Sequence, residues 1–296
     1  MKYMDIKKAI KNNRIMHPFF YLGKSVLYYL IQEFYKLKFF LYNLHMVKIL
    51  RNEDARFGLI SKYKNIHKGE RCFIVATGPS LTLEDLELLK NEVTFSMNSI
   101  PLLYEKTDFR PTYYAIQDKT VMDKIKDGLV KVKADSMFVG ISNMGRMCKS
   151  GIQLSDVKEY PESRLFHLDV ASIFYHLNYK HDCFQPDFSL QCEKKVCDGA
   201  TITYSVIQLA AYMGFSKIYL LGVDCSYAGS KKHMVEYDKD ADYTDTAEMI
   251  YKKWCKSYRL ARKELEKRGV KLYNATRGGA LEELPRVNLD ELIKLQ

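Results

Sequence analysis

The chain has 296 residues, of which 47% are hydrophobic, 28% charged and 13% aromatic. This composition is typical of a folded globular protein, and it excludes a disordered chain, a collagen-like repeat and a multi-span membrane protein. The seven cysteines are an odd number and include no Cys-x-x-Cys pair. We therefore expect a reducing compartment and no disulfide framework.

The formal net charge of +10 is concentrated at the N-terminus. Residues 1–50 carry nine basic and two acidic side chains, a balance of +7, which leaves +3 for the remaining 246 residues. A nucleic-acid-binding domain would spread its positive charge over the folded body, so we expect no nucleic-acid partner.

The N-terminal segment, residues 19–50, is rich in Phe, Tyr, Leu and Lys. Its longest stretches without a charged side chain span eight to nine residues, whereas a membrane-spanning helix needs roughly 20 apolar residues. No small-residue cleavage site follows an apolar run, which disfavours a secretory signal. A basic aromatic helix can lie on an anionic membrane surface, or it can pack on the main domain or on a second subunit. We expect residues 1–60 to be this helical segment, ahead of a domain over residues 61–296.

From Arg71 onwards, short apolar runs alternate with helical periodicity. The predicted strands are Arg71–Thr77, Val93–Asn98, Thr112–Gln117, Met137–Ser142, Arg164–Leu168, Lys217–Val223 and Lys271–Asn274. The predicted helices are Leu83–Lys90, Val121–Leu129, Thr201–Met213 and Thr246–Arg268, and residues 178–196 are predicted to be a loop or lid. The alternation predicts a Rossmann-like α/β fold, with an open, mostly parallel sheet and helices on both faces.

The turn after the first predicted strand, Thr77-Gly78-Pro79-Ser80, is the first candidate ligand-binding element. In open α/β sheets the ligand binds beyond the carboxyl ends of the strands. Gly78 lets the backbone approach a ligand, and the helix that follows offers unpaired N–H groups to an anion. The turn is neither G-x-G-x-x-G nor a Walker A loop, so kinase and dehydrogenase motifs are not supported. Taken alone, such a turn is more often a tight turn than a ligand site.

Other small or polar residues follow the strands or open the helices at the same edge. They are Asn98 and Ser99, Asp118, Gly199-Ala200-Thr201, and Gly222 with Asp224. Together with the glycine turn they predict a nucleotide-type site. Asp118 could bind a ribose, a metal or a substrate hydroxyl, or it could cap the next helix. Arg277, after the last strand, could reach a phosphate or lie in a solvated turn.

The segments FIVATGPSL, SMNS and DGATITYSVIQLAAYMGFSKIYLLGVDCSY resemble a known superfamily over about residues 68–290. It joins bacterial CMP-sialic-acid-dependent sialyltransferases to MptE-like 6-hydroxymethylpterin pyrophosphokinases. The resemblance implies that the residues around the cytidine nucleotide are Gly78, Pro79, Ser80, Asn98, Gly199, Ala200 and Thr201. It also implies a tyrosine on the donor phosphate and a histidine as general base, for which Tyr227 and His233 are the nearest candidates. Thr77 and Asp118 stand where sialyltransferases usually have Asn.

The resemblance implies a transferase. The favoured function is a glycosyltransferase that uses a nucleotide-activated sugar, a CMP-nonulosonate, in surface polysaccharide or glycan synthesis, with His233, Asp224 and Tyr227 as catalytic candidates. The alternative is a pterin pyrophosphokinase that uses ATP and Mg²⁺. Its acidic aspartate motif is not found in this sequence, although Asp118 and Asp224 could share a metal. We assign no metal ligand and no firm cofactor.

The expected location follows from the N-terminal segment. We expect a cytoplasmic protein held at the inner face of the membrane, with a nucleotide-sugar donor and a glycan or lipid-linked acceptor as partners. A homo-oligomer is left open, and so is a second alternative, a non-catalytic membrane-docked protein.

Overall fold

The computed structural model describes individual positions between residues 22 and 49, and residues 52–133, 136–142, 150–170, 184–226, 234 and 247–294. The chain divides into two compact units, residues 1–46 and residues 47–296. In the first unit, every described position between residues 22 and 45 is helical. Among the described residues of the chain, no helix combines the length and the apolar character that crossing a membrane requires.

The second unit is built on one open sheet of eight strands in the order β6-β5-β4-β3-β2-β1-β7-β8, all paired in parallel. Every residue of the central strands β2, β3 and β4 is buried. Successive side chains of a strand point to opposite faces, so both faces of the sheet are covered there. The predicted Rossmann-like parallel fold is confirmed. The strands are β1 Arg71–Val75, β2 Thr94–Met97, β3 Tyr113–Ile116, β4 Met137–Ile141, β5 Arg164–Asp169, β6 Val196–Cys197, β7 Lys217–Leu221 and β8 Lys271–Asn274.

The central helix of this unit is Ile202–Tyr212, here called α5, which buries ten of its eleven residues and contacts β1, β2, β3 and β6. It stops at Gly214, whose positive φ of 96° is the left-handed conformation common just past a helix end. The other helices are α1 Arg56–Leu59, α2 Leu83–Leu88, α3 Lys119–Lys124, α4 Lys126–Leu129, α6 Ala247–Glu266 and α7 Leu289–Lys294, with 3₁₀ helices at Ile60–Tyr63, Ile100–Leu103 and Leu154–Val157. The single helix predicted over Val121–Leu129 is two helices that meet at Ile125.

Strand β6 was not predicted, because it lies at the end of a segment without periodicity and has only two residues. Its pairing with β5 joins Leu168 to Val196 and Asp169 to Cys197. The backbone N–H and C=O groups on the outer edge of β6 are hydrogen-bonded by a side chain of α5. Gln208, which is fully buried, accepts a hydrogen bond from Cys197 N at 3.0 Å and donates one to Cys197 O at 2.8 Å.

The strand order contains one reversal. Strands β1 to β6 are added in one direction, and the chain then crosses back so that β7 pairs with the other side of β1. A crevice opens beyond the carboxyl ends of the strands at such a switch point, because the connections after the two strands run to opposite sides. In this protein the switch point lies between Val75 and Leu221, the last paired residues of β1 and β7.

Candidate functional site

A cleft of about 580 Å³, open mouth included, lies at this switch point. The walls come from the ends of β1, β2 and β7, the start of α5 and one face of α6. The lining residues are Ala76, Thr77, Gly78, Pro79, Met97, Asn98, Thr201, Ile202, Thr203, Gly222, Val223, Asp224, Cys225, Ser226, Trp254 and Tyr258.

The glycine turn after β1 lies directly against the end of β7. Gly78 N donates a hydrogen bond to Gly222 O at 2.9 Å. A Cβ at Gly78 would overlap both Gly222 O and the carboxylate of Asp224, so this position requires glycine for close approach. Gly222 has a φ of 67°, and a Cβ there would lie 2.7 Å from Ala76 O. Glycine at both positions therefore lets the two loops meet.

Asp224 is the carboxylate of the cleft and is held from two sides. Its Oδ2 accepts a hydrogen bond from Ser80 Oγ at 2.9 Å. Its backbone oxygen accepts one from Ala280 N at 2.7 Å, in a loop that Gly279 brings close through a φ of 74°. Burial raises the pKa of Asp224 above its ordinary value, and the hydrogen bonds from Ser80 oppose that rise. The carboxylate is thus fixed in position beside the glycine turn.

The N-terminus of α5 forms the opposite wall. Thr201, the N-cap residue, makes no side-chain capping bond, and Thr201, Ile202 and Thr203 all line the cleft. The first N–H groups of a helix have no partner within the helix, and the helix dipole makes this end attractive to an anion. The start of α5 can therefore bind a phosphate.

The segment before α5 is tightly built. A Cβ at Gly199 would overlap the ring of Tyr204. Ala200 N donates to Asp198 Oδ1 at 2.8 Å, and Ala200 O accepts from Trp254 Nε1 at 3.0 Å. These contacts fix the entry into α5 and join it to the aromatic face of α6.

Left-handed backbone is concentrated around the cleft. In the described part of the chain, four residues other than glycine have positive φ, and three of them border the cleft: Asn98 at 49°, Ala200 at 64° and Cys225 at 51°. This conformation costs a residue with a Cβ roughly 1–2 kcal/mol. Strain of this kind is commonly retained at functional sites.

Most of the residues predicted from the sequence come together in this cleft. Thr77, Gly78, Pro79, Asn98, Thr201, Gly222 and Asp224 line it. Ser80, Gly199 and Ala200 lie immediately behind the lining, where they make the contacts described above. Ser99 is 1% exposed and is not part of the lining.

Asp118 lies elsewhere along the sheet edge and caps α3. Its Oδ1 accepts hydrogen bonds from Thr120 N at 2.7 Å and Val121 N at 3.2 Å, and burial raises its pKa. Strand β3 is three positions from β7, about 14 Å at the usual strand spacing. Asp118 and Asp224 therefore follow strand ends that two other strands, β2 and β1, separate. Among the described residues, no group of three His, Cys, Asp or Glu side chains is placed to hold a metal.

Arg277 is engaged in ion pairs outside the cleft lining. Its Nε lies 2.7 Å from Asp85 Oδ1, and its Nη2 lies 2.7 Å from Asp290 Oδ1. Asp85 is 1% exposed and forms the capping box of α2 with Thr82. Arg277 thus neutralises a buried carboxylate and connects α2 to α7.

Tyr227 and His233 lie outside the described residues. Met234, which follows His233 directly in the chain, is described. Its backbone N–H donates a hydrogen bond to Thr77 O at 2.9 Å. This bond brings residue 234 to the turn after β1.

Two groups of residues near the cleft were not selected from the sequence. Trp254 and Tyr258 were not selected as site residues, because their i, i+4 spacing shows that they share one helix face but not what that face contacts. Asp198 lies in the quoted DGAT segment but was not selected. The pKa of Asp198 is raised to about 6, mainly by burial; the hydrogen bond from Ala200 N lowers it, and the charges of Asp169 and Asp118 add to the rise.

The parallel sheet and the cleft at its switch point define a doubly wound α/β protein with a ligand site beyond the carboxyl ends of its strands. Within this class, the chain belongs to the MptE-like family. The family model described as 6-hydroxymethylpterin diphosphokinase MptE-like matches residues 44–230. The resemblance to MptE-like proteins is confirmed.

Two similar solved structures are of the sialyltransferase CstII from Campylobacter jejuni. The complex with the substrate analogue cytidine-5'-monophosphate has a TM-score of 0.37 and 14% sequence identity, covering 74% of this chain and 87% of that chain. The complex with CMP-3FNeuAc has a TM-score of 0.29 and 10% identity, covering 74% and 85%. Both TM-scores are too low to support an inference about this chain. No curated protein matches the chain in sequence.

Proposed function

We propose that this protein is a glycosyltransferase whose donor is a nucleotide-activated sugar with a single phosphate, a CMP-nonulosonate, and that it acts in surface glycan synthesis. The charge of the cleft wall supports this proposal. The described lining residues include one carboxylate, Asp224, and no Lys, Arg or His. A CMP-nonulosonate has one negative charge on its phosphodiester, which helix N–H groups can bind, and a second on the carboxylate of its sugar. A triphosphate has several negative charges and is usually neutralised by cations.

The proposed reaction displaces the nucleotide from the sugar. A hydroxyl oxygen of the acceptor attacks the anomeric carbon, the bond from that carbon to the phosphate oxygen breaks, and the nucleoside monophosphate leaves with the electron pair. The N–H groups of Ile202 and Thr203 and the hydroxyl of Thr201 stabilise the charge that develops on the leaving phosphate. Tyr227, three residues after Asp224 in the sequence, is a further candidate for this phosphate.

A general base takes the proton of the acceptor hydroxyl. Asp224 is the candidate with described geometry, and its raised pKa makes it a stronger base than an ordinary aspartate. His233 remains the other candidate. The hydrogen bond from its neighbour Met234 to Thr77 O brings the adjacent backbone to the turn after β1.

The family match favours a second candidate function, a 6-hydroxymethylpterin pyrophosphokinase that transfers diphosphate from ATP to a hydroxymethyl oxygen. This reaction would draw on Mg²⁺ to neutralise the triphosphate. The described residues do not offer a set of three acidic, His or Cys ligands for that ion, so we derive no step through it.

Thermal unfolding with a ligand panel separates the two functions. A ligand that binds only the folded state at 100 times its Kd stabilises by about 2.7 kcal/mol, which raises the Tm of a domain of this size by about 5–10 °C. We expect this rise with CMP in the presence of a chelator and no rise with cytidine, which lacks the phosphate. Stabilisation by Mg²⁺-ATP together with no response to CMP would overturn the first proposal.

We further propose that the N-terminal segment docks on an anionic membrane at its cytoplasmic face, where a lipid-linked acceptor would be met. Described apolar side chains of this helix are exposed, including Leu22 at 62%, Phe34 at 63% and Leu44 at 58%. Residues 1–50 add a charge of +7. Apolar side chains that enter the lipid boundary, together with basic ones that attract anionic headgroups, are the features of interfacial helices.

Liposome flotation tests this docking. We expect the full chain to float with vesicles that contain anionic phosphatidylglycerol and to float much less with neutral phosphatidylcholine vesicles. The triple variant Leu22→Ser, Leu30→Ser, Leu37→Ser should lose flotation. The control Leu88→Ser, Val130→Ser changes exposed apolar residues of the second unit and should float like the wild type. Equal flotation of the triple variant would contradict membrane docking.

A further inference from the structure

One wall of the cleft is aromatic and comes from α6. Trp254 and Tyr258 are four residues apart and both line the cleft, as expected for neighbours on one helix face. Tyr258 is 1% exposed, whereas Trp254 is only partly buried. The indole Nε1 of Trp254 donates its hydrogen bond to Ala200 O at 3.0 Å. This bond fixes the orientation of the indole directly beside the start of α5.

The end of β2 presents a polar edge to the same cleft. The backbone of Asn98 is held by a hydrogen bond from Tyr114 OH to Asn98 O at 2.7 Å. Asn98 lines the cleft, and its side-chain amide makes no hydrogen bond to the residues that the structure describes. An amide side chain has one acceptor and two donor hydrogens, so it can pair with the edge of a ring that carries both a carbonyl and an amino group.

We propose that these residues form a base-recognition subsite, in which Trp254 stacks on the heteroaromatic ring of the donor and Asn98 binds the polar edge of that ring. The inference rests on the proposed function, because it assigns one part of the proposed donor site. The position of Trp254 supports this proposal. Trp254 donates a hydrogen bond to Ala200, the residue before the N-cap of α5, so a ring stacked on the indole would lie next to a phosphate bound at the start of α5. Stacking on aromatic side chains and edge hydrogen bonds are the usual means of binding an unpaired base.

The subsite therefore fits a ligand that contains a flat heteroaromatic ring, with a carbonyl and an amino group on its edge, and a phosphate linked to that ring. A pyrimidine nucleotide has this chemistry, and a phosphorylated hydroxymethylpterin shares it. The absence of basic side chains from the described lining favours a donor with one phosphate, and under the proposed function the ring is the base of that nucleoside monophosphate.

The only tryptophan of the chain reports on this subsite directly, because the sequence contains a single Trp. We expect CMP to quench or shift its emission, since a stacked base changes the surroundings of the indole. Ribose 5-phosphate, which has the phosphate but no base, should leave the emission unchanged.

Substitutions at Trp254 measure the stacking by isothermal titration calorimetry. Loss of base–aromatic stacking weakens binding by about 5- to 100-fold, and we expect this loss of CMP affinity in Trp254→Leu. Trp254→Phe keeps an aromatic ring and should stay within about threefold of the wild type. Tyr251→Leu is the matched control on the same helix, because Tyr251 donates to Ala280 O and does not line the cleft. Asn98→Ala should reduce the preference for CMP over UMP.

The outcomes separate the subsite from the proposed function. CMP binding with unchanged tryptophan emission and with equal affinity in Trp254→Leu would overturn the subsite and leave the proposed function standing. Binding of hydroxymethylpterin phosphate without binding of any nucleotide would overturn the nucleotide assignment. If Trp254→Leu does not fold by circular dichroism, the emission of the wild type with CMP and with ribose 5-phosphate decides.

Discussion

The contact between the glycine turn and the end of β7 is tested most directly by Gly78→Ala. A Cβ at this position would overlap Gly222 O and Asp224 Oδ2 and would lie 3.0 Å from Asp224 Cγ. The Asp224 side chain can rotate away, but Gly222 O belongs to the backbone at the end of β7. Forcing one additional carbon into such a contact typically destabilises a protein by about 1–3 kcal/mol. The φ of Gly78 is not positive, so the effect comes from the contact and not from backbone strain.

Chemical denaturation measures this effect, and Gly58→Ala is the matched control. A Cβ at Gly58, in α1, meets no atom within 4 Å, and alanine is the better helix former by about 1 kcal/mol. We expect Gly78→Ala to lose about 1–3 kcal/mol, a fall in Tm of about 2–12 °C, and to bind CMP at least tenfold more weakly because Asp224 and Ser80 are displaced. Gly58→Ala should be as stable as the wild type or more so. Unchanged stability and unchanged affinity in Gly78→Ala would refute the close approach of the two loops.

Substitutions at three further residues test positions near the cleft and at its periphery. Burial raises the pKa of Asp198 to about 6 from 3.8, so between about pH 4 and pH 6 the folded protein keeps a proton that the unfolded chain releases, and the protein loses stability as the pH rises. Urea titrations across this window should show that Asp198→Asn gains up to ~3 kcal/mol of unfolding free energy relative to the wild type. Parallel pH profiles of the two proteins would contradict the pKa shift. Asp118→Ala should cost about 1 kcal/mol of unfolding free energy through the lost cap of α3, and Asp118→Asn should cost much less. Arg277→Gln leaves the buried carboxylate of Asp85 without its ion pair and should lower the free energy of unfolding by roughly 1–3 kcal/mol. This loss is smaller than for a fully buried ion pair because Arg277 is 40% exposed. A loss of CMP affinity at unchanged stability would instead place Arg277 in the donor site.

Local patterns in the sequence were sufficient to predict most of the strands and helices. Strands β1 to β5, β7 and β8 were predicted from their apolar runs, because a strand buried on both faces needs an apolar residue at nearly every position. The predicted end of α5, at Met213, lies one residue beyond the observed end at Tyr212, because a glycine just past a helix end is a local signal. Strand β6 was not predictable in this way, since two residues form no pattern and their pairing depends on Gln208 of a different element.

The site residues also divide into those that local sequence reveals and those that only the strand order places. A small residue or a carboxylate just after a strand can be recognised locally, and Gly78 and Asp224 were found by that rule. The rule does not say which strand ends are neighbours. Asp118 and Asp224 both follow strands, yet the strand order separates them by three positions.

The amino-acid sequence by itself determined the alternation of strands and helices, the glycine positions of the loops and the excess of charge at the N-terminus, because each of these depends on residues close together in the chain. Tertiary structure decided which of these features meet. Ser80 reaches Asp224 across 144 residues, Arg277 reaches Asp85 across 192 residues, and Trp254 faces the start of α5. Contacts between distant segments depend on how the whole sheet and its helices pack, and no short stretch of sequence contains that information.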